Sequence, residues 1–202
     1  MKALLKKDIF CVLKSMKVFL LVIVLFAVIP GFSASSFAII YAAMLPLTAL
    51  AYDERSKWDV LAATMPYSPL QIVLSKYVLG LLGVLASLAL MLASQSIINP
   101  DRFDRETLFL LLTTAGVGVL LLVLSLPLAF HFGVEKGRLF LMAMLAGTGA
   151  AVIALNGRIT QAFAAATLPA PLVALLAAAA LCAATAGSVR IAEKSYAKKQ
   201  GR

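Results

Sequence analysis

Long stretches without a single Asp, Glu, Lys or Arg constrain this chain more than any other feature. The first covers the 35 residues 18–52, and four more cover residues 77–100, 107–134, 139–157 and 159–189. Together they hold 137 of the 202 residues. Because a transmembrane helix needs about 20 predominantly apolar residues, this pattern predicts an all-α, polytopic membrane protein.

The overall composition excludes several other classes of protein. Hydrophobic residues make up 62% of the chain and charged residues only 13%, whereas about a quarter of a soluble domain is charged. A soluble enzyme, a disordered tail and a nucleic-acid-binding domain are therefore excluded, despite the net charge of +9. Two cysteines are also too few for a secreted disulfide scaffold of this length.

Lysine and arginine are distributed unevenly between the segments that separate the apolar runs. If the chain crosses the membrane six times, 15 of these 18 cations fall on one side, in residues 1–17, 53–76, 131–138 and 190–202. The other side holds three arginines and three acids, so the whole net charge lies on the first side. Because Lys and Arg accumulate in cytoplasmic loops, we predict that this side and both termini are cytoplasmic.

The longest run must contain two helices, since 35 residues at 1.5 Å each would extend over about 52 Å. Turn-forming residues near Pro30-Gly31 divide it. A signal peptide cleaved near Ser33-Ala34-Ser35 is the competing interpretation. We disfavour it because the preceding 17 residues are amphipathic and its removal would break the charge distribution. The six predicted spans cover about 17–31, 35–52, 69–95, 107–130, 138–155 and 169–188.

Two amphipathic segments are predicted to lie on the cytoplasmic side. Residues 1–16 are expected to form an interfacial helix with its lysines toward lipid phosphates. Residues 53–66 repeat apolar side chains from Trp58 to Met65 at helical spacing, after acids that suit a helix N-terminus. This second helix either docks in a groove on another protein or anchors its tryptophan among lipid headgroups.

The start of the third span carries a specific local signal. Ser68 can cap a helix, Pro69 suits its first position, and Gln71 can complete a capping box. Glycines inside the spans, such as Gly80 and Gly118, allow helices to approach closely. We favour packing within one subunit for these glycines over a subunit interface or a cavity wall, and the sequence leaves these alternatives open.

Residues that carry enzyme chemistry are scarce. The chain has no phosphate-binding loop, and its one histidine, His131, and its two cysteines, Cys11 and Cys182, lie far apart in sequence. We expect no acidic or basic side chain inside a span, which argues against a proton relay. The sequence therefore predicts no catalytic residue, no bound cofactor and no metal site.

The segment that joins the second and third predicted spans carries a recognisable spacing of residues: Glu54, Leu61, Pro66, Ser68, Ile72, Val73, Lys76 and Tyr77. In these residues the segment resembles the type-2 permeases of ATP-binding cassette exporters. Tyr67 and Pro69 depart from the family pattern, which has an aliphatic and a basic residue there. Size, six spans, cytoplasmic termini and a surface N-terminal helix also agree with the compact branch, which includes exporters of amphipathic toxin peptides.

The resemblance implies a permease in the bacterial inner membrane that forms a pathway for a hydrophobic or amphipathic substrate. A separate ATPase subunit would bind ATP-Mg, and a second permease, identical or related, would complete the pathway. The 53–66 helix would be the coupling helix. Its implied ATPase contacts are Asp53, Glu54, Lys57, Trp58, Leu61, Met65 and Pro66, and a second cytoplasmic contact comprises Glu135, Lys136 and Arg138.

Two other classes of protein compete with this interpretation. A non-catalytic membrane immunity or assembly protein would need no ATPase, so co-purification with an ATP-binding subunit distinguishes it from a permease. A lipid-modifying membrane enzyme would need acids, histidines or metal ligands within the membrane. The sequence shows no such cluster.

Overall fold

The computed structural model describes residues 2–15, 17–28, 32–98, 105–143, 146–147 and 170–200. Within these ranges the chain is helical apart from short turns, and it contains no strand. The helices are α1 (Lys2–Ser15), α2 (Lys17–Val28), α3 (Phe32–Ala43), α4 (Leu45–Arg55), α5 (Trp58–Ala63), α6 (Pro69–Ile98), α7 (Arg105–Phe132), α8 (134–143) and α9 (Ala170–Gln200). The all-helical expectation is confirmed for the part of the chain that is described.

Three stretches of the described helices are long and apolar enough to cross a membrane. They are Phe37–Arg55, which joins most of α3 to α4, Pro69–Ile97 in α6 and Leu111–Phe132 in α7. They correspond to the second, third and fourth predicted spans. Most of the fifth predicted span and the segment that follows it lie outside the described residues, so six crossings stay a prediction.

Helix α6 lies at the centre of the bundle and packs against α1, α2, α3, α4, α7 and α9. Its start agrees with the local signal in the sequence, because the hydroxyl of Ser68 accepts a hydrogen bond from the backbone N–H of Gln71 at 3.3 Å. Pro69 is the first helical residue, where its missing N–H costs nothing.

One hydrophobic cluster lies at the end of the bundle that carries α1 and α5. It brings together Leu4 of α1, Ala62 of α5, Tyr77 of α6, Leu126 of α7 and Tyr196 of α9. Helix α9 continues to Gln200, twelve residues beyond the predicted end of the sixth span at 188. Burial of Tyr196 in this cluster gives the polar end of α9 a packed face and explains the extension.

Glycines inside α6 and α7 let these helices contact their neighbours within the chain. A Cβ placed on Gly83 would lie 2.7 Å from Cδ1 of Leu45, and one on Gly118 would lie 2.7 Å from Cγ2 of Ile39. Because both distances are shorter than carbon–carbon contact, a larger residue at either position would force these side chains to move. At these two positions the favoured interpretation, packing within one subunit, agrees with the structure.

Candidate functional site

The segment between α4 and α6 is divided differently from the predicted 53–66 helix. Helix α4 continues through Asp53 and Glu54 to Arg55, and α5 covers only six residues. Lys57 separates them with a left-handed backbone at φ 51°. Asp53 and Glu54 therefore lie in the last turn of α4, so the expectation that they lie in the first turn of the coupling helix is corrected. Their side chains contact neighbouring helices instead.

Helix α5 has one face inside the protein and one face exposed. Ala62 is fully buried, and the half-buried ring of Trp58 packs against the same cluster. Elsewhere on the helix Val60 is 69% exposed and Leu61 is 50% exposed. The apolar stripe that the sequence predicts is therefore split, because Trp58 points into the protein whereas Leu61 points away from it.

Four charged side chains from three helices meet beneath α5. The ammonium of Lys76 lies 2.6 Å from a carboxylate oxygen of Asp8 and 2.6 Å from one of Asp53. The ammonium of Lys7 lies 2.7 Å from Asp53 and 3.1 Å from Asp8. The hydroxyl of Ser75 also donates a hydrogen bond to Asp8 at 3.1 Å. These contacts define the charge quartet, which consists of Lys7, Asp8, Asp53 and Lys76.

The charge quartet is neutral as a unit, and three of its four side chains are almost closed to solvent, whereas Lys7 is half-buried. The side chain of Lys76 is 1% exposed, that of Asp8 2% and that of Asp53 9%. Such burial is tolerated because each charge faces two partners of opposite sign. Lys76 belongs to α6, so the expectation that the spans contain no acidic or basic side chain is wrong at this residue. Its position near the start of the helix puts the ammonium within reach of α1 and α4.

Lys7 joins the charge quartet to α5. Its ammonium lies 4.2 Å from the centroid of the Trp58 ring, within the range of a cation–π interaction. Burial, which lowers the pKa of Lys7, is outweighed by the hydrogen bond to Asp53 and by the charges of both carboxylates. The net effect raises its pKa above the ordinary 10.5, so the ammonium stays charged at neutral pH.

Glu54 connects the two regions that were predicted to contact an ATPase. Its carboxylate accepts a hydrogen bond of 3.4 Å from the backbone N–H of Val134, the first residue of α8. Gly133 precedes it with φ +88°, which lets the chain turn from α7 into α8. Glu135 and Lys136 are exposed directly beyond this joint. The structure therefore places the second predicted contact region beside the end of α4.

The predicted contact residues differ in how accessible they are. Lys57, Leu61 and Pro66 are exposed, Glu54, Trp58 and Met65 are half-buried, and Asp53 is buried. In the second region Arg138 is half-buried. The accessible members therefore lie around α5 and at the start of α8, whereas Asp53 is buried and contacts Lys7 and Lys76 of the same chain.

Sequence reasoning missed two members of the charge quartet, Lys7 and Asp8. It assigned Lys7 to lipid phosphates with the other N-terminal lysines, whereas the structure turns Lys7 inward and leaves Lys6 and Lys14 exposed. A signal was present at Asp8, the one acid of α1. It lies four residues from both Leu4 and Val12, on the apolar face of that helix.

Groups that could hold a metal ion are not found in the described ranges, where no three His, Cys, Asp or Glu side chains come together. The two carboxylates of the charge quartet are occupied by ammonium groups. Through Lys7 and Trp58 the six-residue helix α5 contacts α1, and the charge quartet joins α1 to α4 and α6. Val60 and Leu61 of α5 stay exposed.

A family model described as "ABC-2 family transporter protein" matches residues 3–197. No curated protein and no solved structure matches the chain. Because the family match covers almost the entire sequence, the chain belongs to the ABC-2 family of transporter proteins.

Proposed function

We propose that this chain forms the export pathway of an ATP-binding cassette transporter and that α5 is its coupling helix. Family membership implies a permease subunit that works with an ATP-binding cassette ATPase. The proposal that α5 is the coupling helix is supported by the exposure of two of its apolar side chains, Val60 and Leu61. These aliphatic side chains lie on a short helix between two candidate spans, a position that can enter a groove on another protein.

The alternative for α5, an anchor in the lipid headgroups, fits the exposed face less well. Membrane anchors at the interface are typically tryptophan and tyrosine. Here the Trp58 ring packs beneath Lys7 and against the core, and the exposed side chains are aliphatic. A protein groove would remove Val60 and Leu61 from water and leave Lys57 at its polar edge.

A second cytoplasmic contact is proposed at the start of α8. Glu135 and Lys136 are exposed there, and the hydrogen bond between Glu54 and Val134 holds this region beside α4. An ATPase surface that covers α5 would then also reach α8. Arg138 belongs to the same proposed contact, although its side chain is half-buried.

The rest of the proposal concerns the assembly and its substrate. A second permease, identical or related, completes the pathway, and the exposed lysines of α1 meet anionic lipid headgroups. The protein lies in a bacterial inner membrane with both termini cytoplasmic, which the uneven distribution of cations supports. The substrate is hydrophobic or amphipathic, with a peptide favoured by the resemblance to toxin-peptide exporters.

Reconstitution of the chain with its ATPase tests this function. The chain alone should hydrolyse no ATP, and hydrolysis should require the ATPase subunit, because the sequence contains no phosphate-binding loop. In vesicles that contain both subunits, ATP should drive a fluorescent amphipathic peptide across the bilayer. The matched control contains the same ATPase without the permease. Hydrolysis by the isolated permease, or failure of the two subunits to associate, would contradict the proposal.

A further inference from the structure

The charge quartet joins α1, α4 and α6, and one of its members contacts α5. Asp8 belongs to α1, Asp53 to α4 and Lys76 to α6, and the Lys7 ammonium lies over Trp58 in the first turn of α5. The contacts run without a gap from the Lys76 ammonium through two carboxylates to the Trp58 ring. A displacement of α5 must therefore either carry α1 and α6 with it or break these contacts.

Stability alone does not account for this cluster. Well-packed apolar side chains in place of a buried ion pair are often neutral or stabilising, so buried charge is weak support for a purely structural function. The short α5 has a particular need for external contacts, because helices shorter than about 12 residues are marginal by themselves. Ala62 and Trp58 attach it to the bundle, and the charge quartet positions the ammonium that faces Trp58.

We propose that Lys76 is a positioning residue for ATP coupling. Through Asp8 and Asp53 it holds Lys7 over the Trp58 ring, so that α1, α5 and the start of α6 move as one rigid unit. Movement imposed on α5 by the ATPase then reaches a membrane-spanning helix and the N-terminal helix together. This inference rests on the proposed coupling function of α5, but the rigid link itself can be tested without the ATPase.

Spin labels on two exposed residues report on this link. We place them at Lys14→Cys on α1 and Thr64→Cys after α5, in a full-length chain without the two native cysteines, in lipid nanodiscs. The wild-type background should give one narrow distance distribution. Lys7→Met removes one ammonium of the charge quartet together with the cation–π contact, and it should broaden the distribution. Loss of the cation–π contact alone should change the ratio of attached to detached helix by about 5-fold. Lys6→Met is the matched control, since this neighbouring lysine is exposed, and it should leave the distribution narrow.

Variants at Lys76 separate positioning from folding. Lys76→Met leaves two buried carboxylates with one ammonium, and this imbalance should lower the amount of protein in the membrane. The pair Lys76→Met with Asp8→Asn removes one charge of each sign and should restore that amount. The double variant should nevertheless show a broad distance distribution between the labels at positions 14 and 64, because α6 no longer contributes an ammonium to the charge quartet. A distribution as narrow as wild type would overturn the inference.

The same variants in the complex with ATPase connect the link to function. The double variant should still bind the ATPase, since Val60 and Leu61 are unchanged, but ATP should no longer shift its labels together. ATP-driven peptide transport should fall by about 10-fold or more, in line with a lost buried contact. Wild-type transport by the double variant would overturn the inference and leave the proposed function intact. Absence of ATPase binding by the wild type would instead overturn the proposed function.

Discussion

A lysine whose side chain is 1% exposed must have its charge matched inside the protein. Lys76 meets this requirement with two carboxylates at 2.6 Å, each supplied by a different helix. The pairing also predicts that removal of any one of the other three members destabilises the protein. Removal of one partner leaves an uncompensated buried charge, which costs more than the intact pair contributes.

Asp53 provides the clearest residue-scale prediction. We expect Asp53→Ala to reduce the free energy of unfolding by about 3 kcal/mol or more, because Lys7 and Lys76 would then share one carboxylate. Thermal unfolding of the detergent-solubilised protein measures this effect. Arg55→Ala is the matched control, since it removes an exposed charge two residues along the same helix. Equal melting temperatures for the two variants would contradict this account of the charge quartet.

Two glycines should respond in opposite directions to the same substitution. A Cβ on Gly137 would lie 3.0 Å from the Cα of Ala129, a backbone atom that cannot easily move, whereas nothing lies within 4 Å of a Cβ on Gly187. Gly137→Ala should therefore destabilise the protein by about 1–3 kcal/mol. Gly187→Ala should be neutral or stabilising, because alanine favours the helix by up to about 1 kcal/mol. Melting temperatures of both variants, measured in the same detergent, test the pair. Destabilisation by Gly187→Ala would show that another surface covers this side of α9.

At the scale of single elements, the proposed contact between α5 and the ATPase depends on the exposed side chains of α5. We expect Leu61→Asp to weaken association with the ATPase by about 30-fold, since a buried apolar anchor typically contributes about 2 kcal/mol at an interface. Quantitative co-purification at equal membrane levels measures this, and Leu61→Met, which keeps an apolar side chain of similar size, is the control. Undiminished recovery with Leu61→Asp would exclude α5 as the principal contact.

Sequence predicts elements well where local chemistry decides them. Ser68 and Pro69 mark the start of α6 because capping needs only neighbouring residues. The end of α4 is different, since Asp53 belongs there through its contacts with Lys7 and Lys76, 46 and 23 residues away. The length of α9 likewise depends on Tyr196, whose burial needs the α7 side chain Phe130 at 5.7 Å between ring centroids. A periodic pattern along the sequence does not show which distant residues will be in contact.

At the scale of the whole molecule, α1, α5 and α8 meet at one end of the bundle, and the proposed ATPase contacts lie at this end. The hydrophobic cluster that contains Tyr77 and Tyr196, the charge quartet and the hydrogen bond between Glu54 and Val134 all lie where these helices meet. Lys57, Lys136 and Lys198 belong to the elements that meet there, and all three are among the cations that we predict to be cytoplasmic. A site that receives mechanical input from an ATPase must face that compartment, so the orientation of the chain is central to the proposed function.

Cysteine labelling in intact cells tests this orientation. In a background without the native cysteines, Phe103→Cys and Thr160→Cys should react with a membrane-impermeant reagent, because both positions fall on the side that carries three of the 18 Lys and Arg side chains. Both lie outside the described residues, so this expectation comes from the charge distribution alone. Lys57→Cys and Ala197→Cys should react only after the cells are permeabilised, since they accompany the other 15 cations. Labelling of Ala197→Cys in intact cells would place the end of α9 outside and rule out six crossings with both termini inside.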